Sequence, residues 1–136
     1  MKKLALVLTL ALAVAVPAAA GGKTFLGGCG ALEHAKYKPK SIVVSCGDGT
    51  IRVKKAHWAK WGKKRARGRG KAVINDCTPS CAEGTPHTYR VKLTLSRARK
   101  CDFGPKRQFR RLTLTYPNDR PDGIAKTNGY YRSCSL

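Results

Sequence analysis

Apolar residues recur at every second position in several short stretches of this chain, and no stretch carries an amphipathic helix of four turns. Ile42, Val44 and Cys46 alternate with Val43 and Ser45, and Ile51 and Val53 alternate with Arg52 and Lys54. Tyr89, Val91, Leu93 and Leu95 share one face against Arg90, Lys92, Thr94 and Ser96. Leu112, Leu114 and Tyr116 repeat the pattern against Arg111, Thr113 and Thr115. Alternation of period two marks strands with one dry face and one charged face, as in an antiparallel sheet buried on a single side. Asp48-Gly49, between the first two segments, supplies the positive backbone angles of a tight turn and predicts a hairpin.

The intervening segments are read from their spacing and breakers. Trp58 and Trp61 stand three apart within residues 56–62, which predicts a bulged strand among β-type neighbours. Lys63-Lys64-Arg65-Ala66-Arg67-Gly68-Arg69-Gly70-Lys71 follows, and its glycines predict a mobile loop before a short strand resumes over residues 72–76. Cys77-Thr78-Pro79-Ser80-Cys81 is a turn tied at both ends. Residues 117–123 form a loop, and Tyr130, Tyr131 and Cys134 predict a last, tethered strand. Six or seven short strands with frequent turn signals predict an all-β fold, a small antiparallel β-sandwich or partly open barrel stapled by disulfides. Cys46, Trp58 and Cys101 fall in the order of an immunoglobulin-type domain, but Arg99 stands where that fold places its corner tyrosine.

The N-terminus changes the picture. Lys2 and Lys3 precede an apolar run from Leu4 to Val16, then Pro17 and Ala18-Ala19-Ala20, the order of a secretory signal peptide with cleavage after Ala20. The run is shorter than the roughly 20 residues that cross a bilayer, so no transmembrane segment is expected in the mature chain. The expected organisation is a signal peptide over 1–20, an N-terminal extension over 21–38 and one β-rich domain over 39–136. A lipoprotein signal ending at Cys29 is disfavoured, because twelve residues separate that cysteine from the apolar run. Six cysteines, Cys29, Cys46, Cys77, Cys81, Cys101 and Cys134, all lie in the exported part and read as a disulfide framework whose pairing the sequence leaves open. Cys77-x-x-x-Cys81 lacks the matching second pair of a zinc site, and no cofactor is expected.

Charge is the feature that exceeds a bland expectation. The chain holds 28 Lys and Arg against seven carboxylates; removing Lys2 and Lys3 with the leader leaves about +19. Between Thr50 and Asn75 ten cations stand without one carboxylate. Lys63, Lys64, Arg65, Arg67, Arg69 and Lys71, flanked by Trp58 and Trp61, are therefore the candidate polyanion-binding residues: cations contact phosphates and release counterions, and an exposed indole stacks on a base or sugar. The competing account puts both tryptophans in the core and leaves the Arg-Gly run as a solvated loop. Arg90, Lys92, Arg110 and Arg111 add a positive outer sheet face. The partners this implies are anionic cell-envelope polymers, acidic lipid or non-specific nucleic acid.

Pro39 and Ile42 leading into Cys46-Gly47-Asp48-Gly49, then Trp58-x-x-Trp61, glycines at 68 and 70, Cys77-x-Pro79-Ser80-Cys81-Ala82-x-Gly84, and Leu93 and Leu95 form an ordered set. In these features residues 39–116 resemble small secreted actinobacterial-type proteins of unknown function. The resemblance implies no catalytic or binding residues, and Cys29 and Cys134 lie outside it.

Catalytic chemistry has ingredients without an arrangement. His34, His57, His87, Glu33 and Glu83 carry no spacing that joins an acid to a base, there is no Gly-x-Ser-x-Gly, and Asn118, Asp119 and Asp122 with Gly123 are explained by a turn. The expected function is an exported, basic, non-catalytic protein associating with anionic polymers or surfaces. The alternatives are a secreted nuclease or other small hydrolase, and an antimicrobial or inhibitor protein.

Overall fold

The computed structural model describes residues 22–136; the leader expected over residues 1–20 lies outside them. The described chain is built from strands: β1 (Phe25–Leu26), β2 (Ile42–Val43), β3 (Ile51–Trp61), β4 (Ala66–Asn75), β5 (Pro86–Lys100), β6 (Arg107–Thr115) and β7 (Thr127–Tyr131). They form one sheet in the order β1-β6-β5-β4-β3-β2, with β7 also paired to β6. From β3 to β7 each strand runs antiparallel to its partner, while β1 lies parallel to β6. The sheet curls into a half-barrel, so of the two architectures expected the molecule takes the partly open barrel. β1 falls within residues 21–38, so this segment supplies a strand to the sheet.

Two features of β3 and β4 bend the sheet. The pairing shifts register between Lys54 and His57 and again between Trp58 and Lys60, and Lys55 takes a φ of 52°. Extra residues of this kind kink a strand and increase its twist. Opposite them, β4 presents only Ala66, Gly68, Gly70 and Ala72 to the concave side before Ile74. A Cβ on Gly68 would collide with the His57 carbonyl and lie 2.9 Å from Trp58 Cε3, and one on Gly70 would lie 2.9 Å from Val53 Cγ1. The glycines are thus points of close approach inside a continuous strand. This corrects the expected mobile loop: residues 66–75 run unbroken as β4, and Lys63 and Lys64 occupy a tight turn closed by Gly62 N donating to Arg65 O at 2.9 Å. The bulge expected around the tryptophans is present.

The concave side holds the core, with Val53, Ala56, Val91, Leu93, Leu95, Phe109, Leu112, Leu114 and Tyr116 buried. Trp58 and Trp61 pack edge to face at 4.7 Å, and Trp61 packs on Phe109 at 5.6 Å and on Tyr37 at 5.4 Å. Their indole N–H groups donate to Pro39 O and Thr24 O. β1 neighbours β6 and β2 neighbours β3, so the chain joining β1 to β2 travels between opposite sides of the sheet and straps the half-barrel shut. Arg132, only 3% exposed, holds this strap at both ends. Its Nε donates to Gly27 O at 2.9 Å and its Nη1 to Val43 O at 2.8 Å, satisfying a backbone carbonyl at each end of the strap. Burial lowers its pKa from the ordinary guanidinium value, and the Glu33 charge acts in the opposite direction.

The cysteines pair as Cys29–Cys46, Cys77–Cys81 and Cys101–Cys134. The first ties the strap to the β2–β3 turn, the third ties the end of β5 to the C-terminal tail, and the second closes a five-residue loop between β4 and β5. Crosslinks that close longer loops remove more freedom from the unfolded chain. With separations of 17, 4 and 33 residues, the first and third contribute about 3–4 kcal/mol each and the second about 2 kcal/mol. Replacing either long-range pair by serines is therefore expected to cost more stability than replacing Cys77 and Cys81, and full reduction to unfold the domain, as read by urea titration.

Tyr116 is fully buried, and its hydroxyl is the one buried side-chain polar atom without a partner among the described residues. Desolvation first, then the neighbouring Tyr130 and Tyr89, pushes its pKa up to about 12 from an ordinary 10.0. A folded-state pKa above the unfolded one means that the phenol's contribution is complete below pH 10.0 and is lost as pH rises towards 12. Tyr116→Phe removes an unsatisfied buried hydroxyl, so it should raise stability by about 1 kcal/mol. It should also delete the part of alkaline unfolding that sets in over that interval, measured by denaturant titration at a series of pH values.

Candidate anion-binding face

Charge is segregated by element in this fold. All seven carboxylates, Glu33, Asp48, Asp76, Glu83, Asp102, Asp119 and Asp122, lie outside the strands, whereas the strands carry lysines and arginines. Because the core takes one side of each strand, alternation sends these cations to the outer, convex side of the sheet. Register then stacks them. Lys54 on β3, Lys71 on β4 and Arg90 on β5 stand directly opposite one another. The next row is His57, Arg69 and Lys92, continued by Thr115 on β6, and the next is Lys60, Arg67 and Thr94, continued by Thr113. Neighbours are about 4.8 Å apart across the strands and about 6.8 Å apart along them.

Seven cations and one imidazole therefore form a grid, every member of it exposed. Nothing neutralises it. Among the described residues no lysine or arginine lies within 4.0 Å of a carboxylate, and the one ion pair is His87 with Asp76. Like charges placed directly opposite destabilise a sheet by about 0.2–1 kcal/mol per pair. Four such pairs occur here: Lys54–Lys71, Lys71–Arg90, Arg69–Lys92 and Lys60–Arg67. Between the side chains run two open grooves of about 420 and 460 Å³, both bordered by His57, Arg69 and Lys92.

The residues singled out from the sequence divide into three groups. Arg67, Arg69 and Lys71 lie on the grid. Lys63, Lys64 and Arg65 are exposed at the β3–β4 turn beyond its end. Trp58 and Trp61 pair with Gly68 and Ala66, positions of the concave side, so their indoles turn towards the core; Trp58 reaches the border of the second groove. Arg90 and Lys92 are on the outer face as expected. Arg111 is there too, opposite Ser96 and Tyr131. Arg110 is instead tied to the C-terminal edge, donating to the Arg132 carbonyl and to the Tyr131 hydroxyl at 2.7 Å. Lys54, His57 and Lys60 were not legible as part of the site, because the two bulges change the strand's parity between them. The alternation of Arg67, Arg69 and Lys71 was a signal for a strand face that the glycines obscured.

A second concavity opens at the mouth of the half-barrel, with a volume of about 510 Å³, bordered by Asp76, His87, Tyr89, Asp122 and Ile124. His87 Nε2 lies 2.9 Å from Asp76 Oδ2. Asp76 also accepts from the backbone N–H of Thr85 and Thr78, which organises the loop closed by Cys77–Cys81. The His87 hydrogen bond first, then these amides, holds its carboxyl below the ordinary range. His57 sits on the outer face and His87, opposite Ile74, on the concave side, so the two histidines do not meet. Glu83 accepts from the Ser80 hydroxyl. Among the described residues no three His, Cys, Asp or Glu side chains gather closely enough to hold a metal ion.

No family model, curated protein or solved structure matches the chain.

Lys71 has a like charge on each side, so Lys71→Thr removes two repulsive pairs and installs a good strand former. Stability is expected to rise by about 0.5–1 kcal/mol at low salt. Raising salt from about 0.05 to about 0.5 M, which shortens the screening length, should stabilise the parent more than the variant in thermal unfolding.

Proposed function

We propose that the mature chain is an exported, non-catalytic protein that associates with anionic polymers or surfaces outside the membrane through the outer face of β3–β5. The observation that carries this is the stacking of seven cations in register with no carboxylate among them, an arrangement that costs stability and that a bound polyanion would relieve. Three disulfides suit an oxidising compartment, in keeping with the leader expected at residues 1–20, and no helix among the described residues is long and apolar enough to cross a membrane. The grid is built from strand positions, and no helix lies among the described residues to enter a groove and read base edges, so association rests on charge and falls steeply with salt. Phosphate-rich envelope polymers, acidic lipid and extracellular nucleic acid all meet that description.

The hydrolase alternative rests on a different feature, the Asp76–His87 pair at the mouth cleft. A carboxylate that orients an imidazole is part of a general-base arrangement. Its signature is loss of turnover in His87→Ala with the fold intact.

The charge reading is tested with a triple variant, Arg67→Thr, Arg69→Thr and Lys71→Thr. Its affinity for heparin at low salt is expected to fall at least about tenfold, with a shallower salt dependence because three contacts are gone. Lys63→Thr, Lys64→Thr and Arg65→Thr together should cost less, since they lie beyond the grid. A parent protein that fails to bind heparin, single-stranded DNA and anionic vesicles would end the proposal.

A further inference from the structure

Resting on that function, the geometry of the grid points to one class of ligand: we propose that the outer face holds a flexible, single-chain phosphodiester polymer and takes no part of its energy from bases. Three observations carry this. The first is spacing. Arg67, Arg69 and Lys71 lie along one strand with a repeat of about 6.8 Å, close to the distance between successive phosphates when a single phosphodiester backbone is drawn out. β3 and β5 flank this ladder with Lys54, Lys60, Arg90 and Lys92, so a chain laid along β4 meets cations beneath and on both sides.

Shape is the second. The core fills the concave side, so the cationic side is convex. A convex surface meets a rigid duplex, itself convex, over a few phosphates of one backbone, because neither bends to the other without a deformation cost. A flexible strand drapes over the ridge and reaches every row. The third is composition: no Trp, Tyr or Phe stands among the grid positions of β3, β4 and β5, and the exposed ring of Tyr131 lies off the grid on β7, beside Arg110. Proteins that grip single-stranded nucleic acid independently of sequence place aromatic rings under successive bases, worth about 1–3 kcal/mol each. Here the indole that borders a groove, Trp58, is packed edge to face on Trp61 and hydrogen-bonded to Pro39 O. The Trp61 indole is tied to Thr24 O. Both indoles are thus anchored towards the concave side rather than laid beneath the grid. A polyol-phosphate chain, which carries phosphodiesters and hydroxyls but no bases, loses nothing on this surface and is the occupant we assign.

The test compares binding of the disulfide-bonded protein to three labelled probes at one low salt concentration. They are a base-free (abasic) phosphodiester oligomer of about 20 units, oligothymidine of the same length and a duplex of the same length, all longer than one footprint. A poly(glycerol phosphate) chain serves as competitor. The expected result is that the abasic and thymidine strands bind within about threefold of each other, both at least about tenfold tighter than the duplex, and that poly(glycerol phosphate) displaces them. The Arg67, Arg69 and Lys71 triple threonine variant should weaken both single strands equally. Thymidine binding more than about tenfold tighter than the abasic strand would overturn the proposal in favour of base stacking at Trp58. Duplex binding as tight as single strands would overturn it in favour of a general polyanion surface and leave the proposed function standing. Failure of every probe and of heparin would sink both.

Discussion

Repulsion among cations held in register on one sheet is the constraint around which this molecule is organised. A strand can carry Arg-x-Arg-x-Lys on its outer side only if its inner side is fixed firmly enough to outweigh like charges at about 4.8 Å. Here the inner side is fixed by a core drawn from β3 to β6 and by a strap that closes the half-barrel. Cys29–Cys46 and the buried Arg132 hold that strap, and Cys101–Cys134 ties the C-terminal tail to the end of β5. The crosslinks contribute on the scale of the whole net stability of a small domain, about 5–15 kcal/mol. Without them the charge on the convex side would work against a core of modest size.

The two sides of the sheet are mechanically linked. The bulges of β3 and the small inner residues of β4 produce the curvature that lets Trp58 and Trp61 reach the core. The same bulges bring His57 and Lys60 into line with Arg69 and Arg67 on the outer face. Curvature also makes the charged side convex, and this favours a flexible chain over a rigid duplex. Every carboxylate sits in a loop, outside the strands that carry the grid.

Much of the fold was legible because it rests on local alternation. Tyr89 to Leu95 and Leu112 to Thr115 lie in strands, the turn at Asp48-Gly49 is present with Gly49 at φ 66°, and the all-β, disulfide-stapled class followed from these. Residues 66–71 were not legible, because glycine signals flexibility in a sequence and close approach in a packed sheet, and only the partner strand decides between them. Gly68 is explained by the His57 carbonyl and Trp58, and neither neighbour is visible in the local pattern. The positive character of the site was evident from composition, but its form as a grid was not. Register between β3, β4 and β5 is a long-range property, and the bulges conceal which residues of β3 face outward. Disulfide pairing was hidden for the same reason, since it depends on how the strap crosses the sheet.

The central claim is that the cations of the outer face are held at a cost that a bound polyanion offsets. The most direct measurement is the thermal midpoint of the oxidised protein with increasing single-stranded phosphodiester oligomer, set against sodium chloride of equal ionic strength. The account predicts a rise with the oligomer well beyond that with salt, growing with ligand concentration as mass action requires. Equal shifts from oligomer and salt, or no shift from either, would contradict it.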